Sequence, residues 1–189
     1  MNGVEYYISA RYNFGPGYVG FQYGHSPGDD PDTQDKNEGG IILSGYDLWQ
    51  PCLILYNDWL DRFAGNMGIA TRGSSSVPPF SSAFNNADLY QIFLGYNPTP
   101  KLALRTSFTM VFADEKPVGC NPETGACGRF VDDEIGQEFD IQATYKLFDN
   151  LEYMIGFGYL WTGDFFKGAD KNQKIRDDYL IIHQVSLTF

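Results

Sequence analysis

At 189 residues the chain is sized for one domain spanning 1–189, and its formal net charge of −11 excludes nucleic acid as a partner, because phosphate contacts need clustered Lys and Arg. No run of about 18 apolar residues is present, which excludes a transmembrane helix. A mean hydropathy of −0.31 leaves a transmembrane barrel open, since barrel strands are apolar only at alternate residues. The 13 Tyr, 15 Phe and 21 Gly point instead to packed β-structure.

The opening MNGVEYYISARYNF has neither a basic start nor the apolar stretch of a signal peptide. The chain is therefore expected to be cytoplasmic, a mature form, or a piece of something longer. Within that stretch Tyr6, Ile8, Ala10, Tyr12 and Phe14 alternate with Glu5, Ser9, Arg11 and Asn13, which predicts a strand over 4–14. After the turn GPG, a second strand over 17–25 sets Val19, Phe21 and Tyr23 against Gly20, Gln22 and Gly24. The polar stretch HSPGDDPDTQDKNEGG follows. Its acidic run lacks the spacing and terminal Glu of a calcium loop, so no calcium site is predicted.

IILSGYDLW and PCLILYND are expected to supply two crossings hinged near Gln50 and Pro51, or else to belong to one large outer loop. Cys52 is expected to be a small buried residue. A Ser/Pro-rich stretch leads to a strand over 87–96, the turn NPTP, and a strand over 101–113. There Leu102, Leu104, Phe108, Met110 and Phe112 face away from Lys101, Arg105, Ser107 and Thr109. In the next loop Cys120 and Cys127 bracket NPETGA, and a disulfide closing it is predicted.

Strands over 136–147 and 151–163 follow, joined at FDN. The first sets Phe139, Ile141, Ala143, Tyr145 and Leu147 against Glu138, Asp140, Gln142, Thr144 and Lys146. The second sets Leu151, Tyr153, Ile155, Phe157, Tyr159 and Trp161 against Glu152, Gly156 and Gly158. The last strand, 178–189, carries Tyr179, Ile181, Val185, Leu187 and Phe189 on one face.

Segments of about 10 to 13 residues exceed the usual strand length and suit a tilted bilayer crossing. Short turns alternate with long polar loops, as in outer-membrane barrels with short periplasmic turns and long outside loops. The fold predicted is all-β, an antiparallel transmembrane β-barrel with seven to nine strands here. Seven or nine strands leave the first and last running the same way, whereas a bacterial barrel has an even count. The chain is therefore expected to be the C-terminal part of a larger barrel whose strands N-terminal to Val4 are absent.

A terminal Phe189 preceded by Leu187, Val185, Ile181 and Tyr179 at alternate positions resembles the C-terminal signature of Gram-negative outer-membrane proteins. His183 departs from it, being polar on the same face. EIGQEFDIQATYKLFDNLEYMIGFGYLWTGDFF further resembles the closing hairpin of alginate-export-type porins, a likeness covering roughly residues 86 to 189. It implies localisation in the outer membrane, contact with lipid, recognition of the last strand by the assembly machinery, and transport. Alginate itself is not implied, because those channels have a strongly cationic lumen and this chain has mixed charges.

No catalytic constellation is apparent. His25 and His183 lack a nucleophile partner, GFGYLWTG has a G-x-G without a following helix, and Glu138 with Asp140 reads as a solvated charge ladder. No enzyme, cofactor or metal is expected. Arg11, Lys101, Arg105 and Lys146 are assigned to the lumen, with Glu5, Glu138, Asp140 and Glu152 facing them. The function predicted is a porin or channel for passive passage of hydrophilic solutes. The alternatives are a barrel sheathing or anchoring a periplasmic partner such as an electron-transfer protein, and a soluble ligand-binding β-barrel.

Overall fold

The computed structural model describes residues 3–33, 35–36, 38–39, 49, 51–57, 84–120, 125 and 127–189. Seven long strands form one antiparallel sheet in the order β1-β2-β3-β4-β7-β8-β9. They are β1 Tyr6–Phe14, β2 Gly17–Ser26, β3 Ala87–Thr99, β4 Leu102–Phe112, β7 Glu134–Phe148, β8 Leu151–Thr162 and β9 Asp178–Leu187. A hairpin of β5 Val118–Cys120 and β6 Cys127–Arg129 stands apart as its own two-stranded sheet. Cys120 and Cys127 are joined by a disulfide across it. Sequence reading expected the disulfide but not the hairpin. Among the described residues no helix is long and apolar enough to cross a membrane.

The predicted strands are found within a few residues of their expected bounds because the period-two alternation runs through each of them. Gly15, at φ +52, turns the chain between β1 and β2, in a left-handed conformation a larger residue would resist. Between β3 and β4 the ladder shifts from Tyr96 to Thr99, so a bulge absorbs Asn97 and Pro98 of the expected NPTP turn. Lys101 lies in that turn rather than in β4 and is exposed, a correction to its expected place on a strand. A second bulge, where Val111 pairs Gly136 but Phe112 pairs Glu134, sits at the start of β7.

The expected crossing in PCLILYND is overturned. Residues 51–57 form no strand; they lie buried across one face of the sheet. The other expected crossing, IILSGYDLW, falls outside the described residues except for Trp49. We call the face under residues 51–57 the inner face.

Along the strands the inner face divides into three zones. At the end carrying the long loops it is apolar: Ala87, Leu89, Val111, Ile135 and Leu160 pack with Leu55, Tyr56 and Phe165. Phe165 belongs to a short 3-10 turn, Asp164–Lys167, inside the last long loop. The middle zone is polar yet buried, with Gln22, Gln91, Ser107, Thr109, Glu138 and Asp140. At the end carrying the short turns it opens, and Arg105, Gln142, Thr144 and Glu152 are only partly covered.

The outer face is the reverse. Across the strands, Phe21, Ile92, Phe108, Phe139 and Tyr159 form one row and Val19, Leu94, Thr106, Ile141, Phe157 and Ile181 the next. Ile92, Ile141 and Ile181 are 58%, 52% and 67% exposed, values that an ordinary soluble core would not leave on a sheet centre. Tyrosines flank this apolar band at both ends, with Tyr6, Tyr23 and Tyr90 towards the long loops and Tyr96, Tyr145 and Tyr153 towards the short turns. Since every neighbour pair is antiparallel, β1 and β9 run in the same direction, and each is an edge among the described residues.

Candidate functional site

Glycine supplies the room for what covers the inner face. The Phe93 ring lies over Gly20 and the Tyr18 ring over Gly95, each where a Cβ would stand 2.2 Å or less from a ring atom. On β8, a Cβ on Gly156 would come within 2.8 Å of the Leu53 side chain. One on Gly158 would stand 2.9 Å from Asp140 Oδ1 and 3.3 Å from Leu53 and Ile54. The G-x-G of GFGYLWTG is thus a seat for residues 53 and 54, placed by alternation on the face they cover.

Residues 51–57 turn back on themselves there. Tyr56 takes φ +56, and Asn57 Nδ2 donates to the Leu53 carbonyl at 2.6 Å. This turn leaves three successive backbone N–H groups pointing at β7, and Glu138 accepts all of them. Leu53 and Ile54 donate to Oε1 at 2.9 and 2.6 Å, and Leu55 donates to Oε2 at 2.8 Å. A carboxylate so held satisfies donors that would otherwise be stranded in a dry interior. Asp140, two residues along on the same face, accepts more loosely from Leu53 N and Ser107 Oγ, both at 3.4 Å, through Oδ2. Its Oδ1 has no partner among the described residues although the side chain is only 5% exposed.

A network centred on the Gln91 amide holds the other flank. Gln91 Nε2 donates to the Pro51 carbonyl and to Thr109 Oγ1, each at 2.7 Å, while its Oε1 accepts from Gln22 Nε2 at 2.6 Å and from Arg105 Nη2 at 3.1 Å. The Cys52 thiol donates to Thr109 Oγ1 at 3.4 Å. Cys52 is the free cysteine, buried as expected. Burial pushes its thiol well above the ordinary range, and the acids Glu138 and Asp140 add to the effect.

The predicted lumen residues therefore meet different fates. Glu138 and Asp140 do point to the inner face, but they are covered by residues 51–57 rather than forming a solvated ladder. Arg11 stacks 3.6 Å above the Tyr18 ring and donates to Asn13, and Tyr18 in turn meets Phe93 edge-on with Arg105 over the far ring at 5.5 Å. An arginine–aromatic band thus runs across β1, β2, β3 and β4. Lys146 and Glu152 are register partners and lie 3.8 Å apart in an exposed ion pair. Glu5, just ahead of β1, accepts from Ser26 Oγ. Tyr179, Ile181, Val185 and Leu187 stand together on the exposed outer face of β9, and Phe189 lies two residues beyond its end.

Sequence reading missed the role of Cys52, Gln91 and residues 53–55. The one available signal was PCLILYND itself, a short apolar run too brief for a helix and without alternation.

A cavity of about 750 Å³ adjoins this cluster, lined by Cys52, Asn57, Arg105, Asp140, Gln142 and Gln184 among others. At the long-loop end, Glu115 is held above the ordinary glutamate range by partial burial and by the acids Asp30 and Asp114, with Arg129 opposing them. No protein-family model matches this chain, and no curated protein matches it.

Proposed function

We propose that this chain forms part of the wall of a Gram-negative outer-membrane β-barrel channel, through which hydrophilic solutes pass passively. The observation that carries this reading is the inverted sheet: polar and charged residues buried on the inner face, and an exposed apolar band between tyrosine rows on the outer face. A strand such as β2, with 10 residues at about 3.3 Å each and a tilt of about 40°, spans roughly 25 Å, the height of an apolar barrel band. The outer face then meets lipid, and the loops β2–β3, β4–β7 and β8–β9 lie on one side of the membrane with the short turns on the other.

Because β1 and β9 run the same way, an all-antiparallel ring takes an odd number of further strands between these edges. The whole barrel is accordingly larger than the seven-stranded sheet. Residues 51–57 fold inward and narrow the lumen on one side. The arginine–aromatic band and the Lys146–Glu152 pair remain as the charged features nearest open space. The outer row of β9 with Phe189 is the segment that the assembly machinery would read.

Heat-modifiable gel migration after detergent extraction tests the barrel, and single-channel conductance in planar bilayers tests the pore. A shift on boiling followed by ion conduction is the expected result. A protein that partitions into buffer without detergent and never shifts would refute the membrane reading. A folded barrel that never conducts, and co-purifies with a stoichiometric periplasmic protein, would make it a sheath.

A further inference from the structure

We propose that Cys52, Glu138 and Asp140 form a binding site for a thiophilic divalent cation, of which zinc is the chemical type, with its open coordination position facing the adjoining cavity. This inference is independent of whether the protein conducts. One donor atom from each residue lies within 4.8 Å of the other two, and all three side chains are buried. A tetrahedral zinc with S at about 2.3 Å and O at about 2.1 Å needs donors roughly 3.4 to 3.6 Å apart. Side-chain rotations closing about 1 Å therefore complete the set.

Two features point to a ligand rather than to an incidental grouping. The first is Asp140, a residue only 5% exposed whose carboxyl group is held by two long contacts of 3.4 Å through Oδ2, while Oδ1, turned towards Gly158, has no partner among the described residues. Leaving such an acceptor without a donor or cation costs free energy that a bound ion would recover. The second is the disposition of Glu138. Its Oε1 already takes two N–H groups, but Oε2 takes only that of Leu55, so one lone pair on Oε2 meets no donor among the described residues.

The charges also balance. Thiolate and two carboxylates bring three negative charges against two from the metal, and Arg105, which lines the same cavity, supplies the remaining positive charge. Thr109 and Gln91 hold the sulfur from outside the set, the arrangement by which outer groups orient metal ligands. On binding, the S–H bond breaks, the sulfur keeps the electron pair and donates it to the metal, and the proton leaves to solvent. A sulfur ligand selects zinc or cobalt(II) over calcium and magnesium, and the cavity leaves room for water in the fourth position.

The test is cobalt(II) titration of the full chain folded in detergent, followed by displacement with zinc. The expected result is one cobalt per chain with a thiolate-to-metal charge-transfer band, bleached by zinc, and at least one proton released per metal bound. Cys52→Ser should abolish the band, and Asp140→Asn should weaken affinity about 100-fold while the heat-modifiable shift persists. A second cluster, His25, Asp88 and Asp114, also has donor atoms within 4.8 Å of one another, but it has no sulfur. Metal binding without a charge-transfer band, or binding that survives both substitutions undiminished, would place the ion there and overturn the proposal. No binding at all would overturn it too. A protein that fails to shift on boiling yet gives the band would refute the channel and keep the metal site.

Discussion

Replacing Glu138 by Gln is the most direct probe of how residues 51–57 are held. The carboxylate accepts three backbone N–H groups at 2.6 to 2.9 Å in a fully buried position. A hydrogen bond contributes about 0.5 to 1.5 kcal/mol net, and a buried donor left without its acceptor costs about 1 to 3 kcal/mol. Gln keeps one oxygen, which can serve Leu53 and Ile54, but its NH2 group then opposes the Leu55 N–H, two donors face to face. Losing one such bond and stranding a donor should cost the docked segment about 3 kcal/mol, roughly a 150-fold rise in its opening constant.

Cys52 reports that opening because it is the free cysteine and is 4% exposed when docked. Labelling with a polar maleimide, in detergent and with a chelator present, should be slow in the native protein. It should be faster by about two orders of magnitude in Glu138→Gln. Lys146→Met removes a charge from the same strand and face without touching residues 51–57, and should leave the rate unchanged. If Glu138→Gln retains its heat-modifiable shift and labels within about threefold of the native rate, the carboxylate does not latch the segment and the reasoning fails.

Gly158→Val should crowd Asp140, Leu53 and Ile54, raise Cys52 labelling, and cost about 1 to 3 kcal/mol of docking; an unchanged rate would show that the segment has slack there. Ile141→Arg, in the middle of the outer band, should lower folding stability in lipid vesicles by about 2 to 4 kcal/mol, whereas an exposed residue of a water-soluble sheet would tolerate it within about 0.5 kcal/mol. Reduction of the Cys120–Cys127 disulfide should loosen only the β5–β6 hairpin, because that sheet is separate, and unfolding of the main sheet in urea should keep its midpoint. Glu115 has a folded-state value raised above the ordinary one, so its stabilising share is full below the ordinary glutamate range and is lost as pH rises through the raised value. Hydrogen exchange at the Glu115 amide, which donates to Asn86 Oδ1, should therefore gain an extra pH-dependent acceleration that Glu115→Gln removes.

Much of the sheet was legible in the sequence, and for a local reason. Successive side chains of a strand point to opposite faces, so Phe139 and Ile141 against Glu138 and Asp140 declared both the strand and its two sides before any partner was known. The short turns after Phe14 and Phe148 followed from Gly-Pro and Asp-Asn chemistry, and the disulfide from the close spacing of Cys120 and Cys127. Alternation also set Lys101 wrongly on a strand, since pattern does not see where a bulge and turn take up residues.

Residues 51–57 were decided only by the tertiary structure. PCLILYN is a short apolar run, and such a run reads equally as a crossing strand or as a buried turn. What settled it lies about 85 to 105 residues away: Glu138 accepts the amides of Leu53, Ile54 and Leu55, and Gly156 and Gly158 leave the space that Leu53 and Ile54 fill. Neither the acid nor the glycines carry a mark of that partner in their own neighbourhood, because a hydrogen bond or a packing contact across such a separation leaves no period in the chain. The sequence by itself therefore determined the strands and their faces, and the fold alone brought Cys52 beside two buried carboxylates.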